Sequence, residues 1–294
     1  EDAASASAAT ASTMDDVAML SLTQTLAAQE ASSVARSGGM RRPLPYFVSS
    51  MMAGAYIGIG GTFMLAAAGP FKAAGSPASA LISGPAFSIG LLLCVFGGAE
   101  LGTSAMMTFA VGGFRKVTSW AKGTVALLVM LLGNLAGAIV LAAILRGTNI
   151  LNADTPAGKM LAGVVTTKGG LPADTIFFRG IMCNVLVCLT IWCTTRVENE
   201  VAKAVAVFSF ISAFVTCGFE HVVANMTFFS LGLMYHVDGA TIGLAARNLL
   251  WSGLGNLVGG AIFVAGAYVL AHRTEEGSAE EKAALEAAAP ARVH

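Results

Sequence analysis

The sequence predicts an all-α polytopic membrane protein, with six transmembrane helices arranged as two inverted three-helix repeats and the second and fifth helices broken. Three observations predict it. The 294-residue chain is 55% hydrophobic and only 12% charged, with a mean hydropathy of +0.73, whereas a soluble domain carries about 25% charge. Its apolar residues fall into six long runs, each at or beyond the ~20 residues a bilayer requires. The chain also repeats itself. Gly98, Glu100, Met106 and Phe109 recur 120 positions later as Gly218, Glu220, Met226 and Phe229. Leu132-Gly133-Asn134-Leu135-Ala136-Gly137 is echoed 122 positions later by Leu254-Gly255-Asn256-Leu257-Val258-Gly259. Two echoes in the same order, at nearly one offset, mark a duplicated unit.

Taken in order, residues 1–40 are expected to be a mobile segment. Their Ala/Ser/Thr-rich start, opening on Glu1, is low-complexity and reads as the remnant of a targeting region, although its acids argue against a transit peptide. Residues 14–35 carry a weak apolar stripe that allows a short interfacial helix. The first repeat occupies 41–146, with spans at about 46–69, 80–112 and 120–146. Residues 147–173 form one long external connection. The second repeat occupies 174–272, with spans at about 174–195, 201–235 and 241–271, and a tail follows at 273–294.

The spans at 80–112 and 201–235 are too long for one simple crossing, and each contains a Gly/Glu interruption. Both read as two half-helices joined by a non-helical turn, which membrane depth tolerates only where protein or water satisfies the freed backbone. Three spans per repeat is an odd number, so the second copy lies upside down. In that architecture the site sits near the midplane, with half-helix ends aimed at the solute. Their N-termini carry partial positive charge and favour an anion.

Orientation follows from the Lys and Arg residues. With the N-terminus inside, the inner segments hold eleven (Arg36, Arg41, Arg42, Arg115, Lys116, Lys122, Arg196, Lys203, Arg273, Lys282 and Arg292). The outer segments hold six (Lys72, Arg146, Lys159, Lys168, Arg179 and Arg247). Both termini are therefore placed inside. Cys94, Cys183, Cys188, Cys193 and Cys217 all fall in apolar runs without a CxxC pair and read as buried packing thiols. No basic, aromatic-interleaved patch suits nucleic acid, and no metal or cofactor is expected.

The residues that carry chemistry lie at the breaks. His221 is the only deeply intramembrane histidine, and a titratable group at that depth costs about 2.5–3.5 kcal/mol by insertion scales unless it has a partner or a water-filled cavity. Beside it, Glu220 reads as a support that accepts backbone N–H bonds at the break, and Glu100 as its counterpart in the first repeat. Asn134 and Asn256 read as ties between helices and broken segments. There is no HExxH, GxSxG or Walker loop, so enzyme chemistry has little to stand on. A second intramembrane histidine, as in a paired-histidine ammonium pore, is missing, as are the Asn-Pro-Ala boxes of a water channel. A pore or carrier for a small solute is left. An occluded scaffold or sensor is the contrasting class.

At these residues the chain resembles the formate/nitrite transporter family. The matches are Gly218-Phe219-Glu220-His221 through Ala224-Asn225-Met226-Thr227, Asn248-Leu249-Leu250-Trp251 with Leu254-Gly255-Asn256, and Cys183-Asn184 with Leu186-Val187-Cys188. Pro45-Tyr46-Phe47-Val48-Ser49-Ser50 running into Ala53-Gly54-Ala55-Tyr56 is most similar to the nitrite-channel branch. The resemblance covers roughly residues 40–272. It implies an aquaporin-like protomer, a homopentamer with a pore in each subunit, and passage of monovalent weak-acid anions such as nitrite or formate, by a channel or a proton-coupled carrier. A bare anion pays a large desolvation cost in an apolar slit, so protons are expected to assist passage near His221. It further implies a bacterial inner membrane, with an organelle envelope second.

By position, the resemblance makes His221 the pore histidine, Thr103 the threonine facing it, Asn184 a pore-lining amide and Lys168 an anion-attracting vestibule lysine. Phe87, Leu91, Val187 and Phe214 fall at apolar constrictions, and Asn225 supports the second break. The family's first break normally reads Glu-Leu-Phe-Thr-Gly-Asn, where this chain has Glu100-Leu101-Gly102-Thr103-Ser104-Ala105. Loss of the aromatic at Gly102 is expected to widen one constriction, which leaves open a leaky slit, passage of another small solute such as bicarbonate, lactate or hydrosulfide, or a constriction refilled by a residue such as Met106 or Phe109. Loss of the Gly-Asn pair is expected to change how the loop folds.

Overall fold

The computed structural model describes residues 19–273, and they are all-helical. Helix α1 (Leu22–Gly39) precedes α2 (Pro43–Ala73), and α3 (Ala78–Phe87) runs across Ser88 into α4 (Ile89–Gly97). Then come α5 (Gly102–Phe114), α6 (Trp120–Thr148), α7 (Pro156–Gly170) and α8 (Ala173–Arg196). The last are α9 (Glu200–Thr216), α10 (Val222–Met234) and α11 (Ile242–Val258), which passes through a π-helical stretch at Gly259–Gly266 and ends by Arg273. Helix starts are written locally. Pro43 opens α2 at the first turn, and the side chains of Ser119, Thr155, Asn199 and Thr241 each accept a backbone N–H at an N-terminus.

Five helices are long and apolar enough to cross a membrane: α2, α3–α4 together, α6, α8, and α11 with its continuation. Where the sequence predicts a fifth span at 201–235, the chain forms two shorter helices of 17 and 13 residues. At 1.5 Å per residue neither alone reaches across a ~30 Å hydrocarbon core.

Glycines set the crossings between the long helices. On α2 and α6, a Cβ at Gly54 or Gly137 would collide with the facing backbone of Asn134 or Met51. On α8 and α11, Gly255 and Gly259 lie in the same way against the carbonyls of Phe177 and Ile181. Small residues at these points let backbones touch, which is how helices associate where lipid offers no hydrophobic drive between them.

Three expectations need correction. Residues 22–39 of the segment expected to be mobile, with at most a short interfacial helix at 14–35, are a helix docked against the protein; residues 1–18 lie outside the described part. Its buried face is Thr25, Leu26, Gln29 and Ser33, and polar contacts hold it. Gln29 accepts from Thr108 Oγ1 (2.9 Å) and donates to Thr195 Oγ1 (3.0 Å), Ser33 donates to Thr118 (2.9 Å), and Glu30 pairs with Arg115 (2.7 Å). The long connection at 147–173 contains α7, capped by Thr155 and carrying buried Leu161 and Val165. Cys217, expected to be a packing thiol, is exposed at the end of α9, whereas Cys94, Cys183 and Cys188 are buried. Because α7 leads into the start of α8 while α1 is bonded at its far end (Leu20 N–H to Arg196 C=O, 2.8 Å), these two helices mark opposite faces of the protein.

Candidate functional site

Two helix breaks meet at the centre, and they are built alike. Each begins with a glycine in the left-handed region, Gly98 at φ +72° and Gly218 at φ +69°, a conformation that costs other residues 1–2 kcal/mol or so. In each, the next N–H closes the previous helix (Ala99 to Cys94, Phe219 to Phe214, both 3.1 Å) and the glutamate N–H reaches a neighbouring helix (Glu100 to Ser49, Glu220 to Arg179, both 3.3 Å). An asparagine then braces the restart. Asn134 Oδ1 accepts from Gly102 N–H (2.9 Å) while its Nδ2 donates to the carbonyls of Ser50 (2.7 Å) and Glu100 (3.0 Å). Asn256 Oδ1 accepts from Val222 N–H (2.8 Å) while its Nδ2 donates to the carbonyls of Gly180 and Glu220 (both 2.8 Å). The half-helices that follow, α5 and α10, are both 13 residues long.

The glutamates do not accept backbone N–H bonds, contrary to the sequence reading. Each is paired with a cation from a helix outside the long apolar runs. Glu220, essentially buried, takes Lys168 Nζ of α7 at 2.8 Å on one oxygen and Asn225 Nδ2 at 2.7 Å on the other. Asn225 Nδ2 also donates to Asn248 Oδ1 (2.7 Å), and Asn248 Nδ2 donates to the Lys168 carbonyl (3.1 Å). Glu100 Oε2 lies 3.1 Å from Arg36 Nε of α1. Carboxylates at this depth persist because they are neutralised.

His221 caps α10: its Nδ1 accepts from Ala224 N–H at 3.1 Å. That bond fixes the tautomer of the neutral ring, so the proton sits on Nε2, which donates to Thr103 Oγ1 at 2.9 Å. A second proton on the ring would have to break the cap. Thr103 opens α5, so this contact joins the two breaks directly. Behind it, Asn184 Nδ2 bridges the carbonyls of Thr103 (3.1 Å) and Asn256 (2.6 Å).

A cavity of about 190 Å³ opens from the α7 face down to His221. Phe87, Phe214, Phe228, Lys168, Asn225 and His221 are among its lining residues. Phe87 and Phe214 meet edge to face at 5.8 Å, and the Phe214 ring stacks over His221 at 5.8 Å. Above lies a wider basin of about 440 Å³, sharing Ser83, Met160, Val164, Lys168 and Gly218 with the cavity. Its cations are Lys72, Lys159, Lys168 and Arg179, against the single acid Glu220. On the α1 side, a pocket of about 300 Å³ is lined by Leu91, Cys94, Leu101, Ser104, Glu100 and Arg36, among others.

The structure thus brings together His221, Thr103, Lys168, Phe87, Phe214, Glu220 and Asn225, with Leu91 on the far side. Thr103, Asn184 and Val187 are buried and line neither the cavity nor the pockets beside it, so Thr103 reaches the site only through its bond to His221. Gly102 does not widen a constriction. A Cβ there would lie 2.5 Å from Leu131 Cδ2 and 3.1 Å from Asn134 Oδ1, so α6 already fills that space. Nor does Ser104-Ala105 unsettle the loop, because Ser104 Oγ donates to the Leu101 carbonyl (3.0 Å) and the helix starts there. The sequence reading names Arg36 and Asn248 but gives neither a role at the breaks; an unmatched Glu100 at membrane depth is the signal that a cation is needed.

A helical membrane protein whose two broken segments meet at a buried histidine, beneath a basin ringed by cations, is a transport protein for small anions. Residues 24–270 match the Formate/nitrite transporter family, and the chain belongs to it. It is 35% identical over 258 residues to the nitrite transporter NirC of Salmonella typhimurium, covering 87% of this chain and 93% of that one. It is also 35% identical to a probable formate transporter of Methanothermobacter thermautotrophicus, over 75% of this chain and 86% of that one. Among solved structures it is similar to an FNT family ion channel (33% identity, TM-score 0.79, covering 85% and 99% of the two chains) and to a pentameric formate channel with formate bound (27%, 0.67, 79% and 98%). The family is one of channels, not enzymes, and the chain is an integral membrane protein.

Proposed function

We propose that this chain passes small monovalent weak-acid anions, nitrite first and formate next, along a path through the basin, the Phe87–Phe214 pair, the His221–Thr103 contact and the Leu91 pocket. The observation that carries this reading is that His221 lines the cavity and, on its far side, is bonded to the fully buried Thr103 of the other break. Because His221 donates, the Thr103 hydroxyl keeps its own proton to offer an anion. A bare anion crossing an apolar slit pays a large desolvation cost, and the neutral acid pays little, so passage is assisted by protonation near His221. Lys168 is neutralised by Glu220, and the remaining cations of the basin supply the net attraction. Asn184 acts from behind Thr103 by holding its carbonyl. Nitrite ranks first because relatives named nitrite transporters align over more than four-fifths of the chain. The reading that Gly102 admits a larger solute loses its support with Leu131 in place.

The same proposal extends to architecture. The matched hydrogen bonds of the two breaks support inverted repeats at 41–146 and 174–272, with α9 and α10 in series as a sixth crossing in an aquaporin-like protomer. The likeness to a pentameric channel supports a homopentamer. The bacterial relatives support a plasma membrane, and the Lys/Arg bias places both termini inside.

The test is nitrite uptake into liposomes as external pH is varied, for the wild type and His221→Ala. Uptake should rise as pH falls and collapse in the variant. Undiminished flux in His221→Ala would make the histidine structural, and formate flux without nitrite flux would reverse the order of substrates.

A further inference from the structure

A cleft of about 470 Å³ opens on the α1 face, between the end of α1 and the turn into α6, and shares no residue with the path. Arg41 and Lys122 line it, with the hydroxyls of Ser37 and Ser119 and the apolar side chains of Met40 and Val117. Arg42 and Lys116 are exposed close by in sequence. The ion pairs among the described residues are Arg36–Glu100, Arg115–Glu30 and Lys168–Glu220. Arg41, Arg42, Lys116 and Lys122 therefore have no acidic partner there.

The chain on either side of these cations turns outward with apolar groups. Leu44 is 71% exposed at the start of α2, and Trp120 and Val125 are each 53% exposed at the start of α6. Exposed tryptophan beside exposed aliphatic residues marks the level where a bilayer meets water. A concave cationic site at that level, with the Ser119 hydroxyl as a donor and an adjoining apolar wall, matches a phosphate headgroup joined to acyl chains. We propose that this cleft binds an anionic phospholipid, its phosphate between Arg41 and Lys122 and its chains along the exposed faces of α2 and α6.

The test is native mass spectrometry of the full chain in detergent, titrated with phosphatidylglycerol or phosphatidylcholine, for the wild type, an Arg41→Gln/Lys122→Gln double variant and Lys203→Gln, which alters a cation outside the cleft. Phosphatidylglycerol should be retained in preference to phosphatidylcholine, and the double variant should weaken that retention by roughly tenfold or more while Lys203→Gln leaves it unchanged. Both altered residues are exposed, so the double variant should keep its elution profile and its nitrite uptake. Equal retention of the two lipids, or unchanged retention in the double variant, would overturn the proposal. So would displacement of phosphatidylglycerol by millimolar inorganic phosphate, which would reassign the cleft to a soluble anion.

Discussion

Lys168 and Glu220 are coupled tightly enough that neither can be altered alone without consequence. Their side chains are 15% and 2% exposed and 2.8 Å apart, and removing one member of such a pair strands the other charge at a cost of about 3–5 kcal/mol. Lys168→Ala is therefore expected to lower the unfolding temperature sharply in detergent, and Glu220→Gln added to it should recover most of the loss. If Lys168→Ala alone unfolds like the wild type, the pair is not what holds α7 to the second break. His221 has two separable jobs at its two ring nitrogens. Asparagine can cap a helix in its place, so His221→Asn should keep thermal stability near wild type yet lose transport through the missing Thr103 contact. His221→Ala should lose transport and about 1 kcal/mol of cap as well. A His221→Asn protein that conducts normally would show that the Thr103 contact does not control the path.

Among the elements, the two braced breaks should respond alike to the same injury. Asn134→Ala and Asn256→Ala each orphan the N–H that restarts the helix and the carbonyl of the break's glutamate, and each buried group left unpaired costs about 1–3 kcal/mol. Both variants should show faster amide exchange at the start of α5 or α10, measured by hydrogen–deuterium exchange, with little change elsewhere. The breaks and their asparagines were legible in the sequence because a carboxylate in an apolar run, echoed 120 positions on, has no innocent explanation. The helices that serve them were not. Helix α1 buries threonine, glutamine and serine rather than an apolar stripe, so periodicity had little to register, and α7 lies in a stretch read as a connection. The resemblance identifies Lys168 only as a vestibule lysine, and the sequence offers Arg36 only as an inner charge. Neither could be assigned to its glutamate until the fold brought α7 and α1 against the breaks. Gly102 misled for a related reason: the space its missing side chain vacates belongs to Leu131, 29 positions away in the sequence.

For the whole molecule, the expected assembly is five copies of the 29.9 kDa chain. Light scattering on detergent-solubilised protein, corrected for bound detergent, should return five times that mass; a monomer or dimer retaining full transport would separate function from assembly. The outer face of α6 is aliphatic, with Leu128, Leu132 and Ile144 all more than half exposed, and suits contact with lipid or a neighbouring subunit. Salt should weaken uptake at low substrate concentration, because the cations of the basin act at long range and are screened.

The two glutamate–cation pairs also bear on biogenesis. In chain order Arg36 precedes Glu100, and Lys168 precedes Glu220. As the protein leaves the ribosome N-terminus first, each carboxylate reaches the bilayer after its counter-ion has been made. A nascent chain therefore never has to hold a bare carboxylate while awaiting a later segment, and rearrangements that move either cation downstream of its glutamate should insert poorly even when the finished contacts are the same.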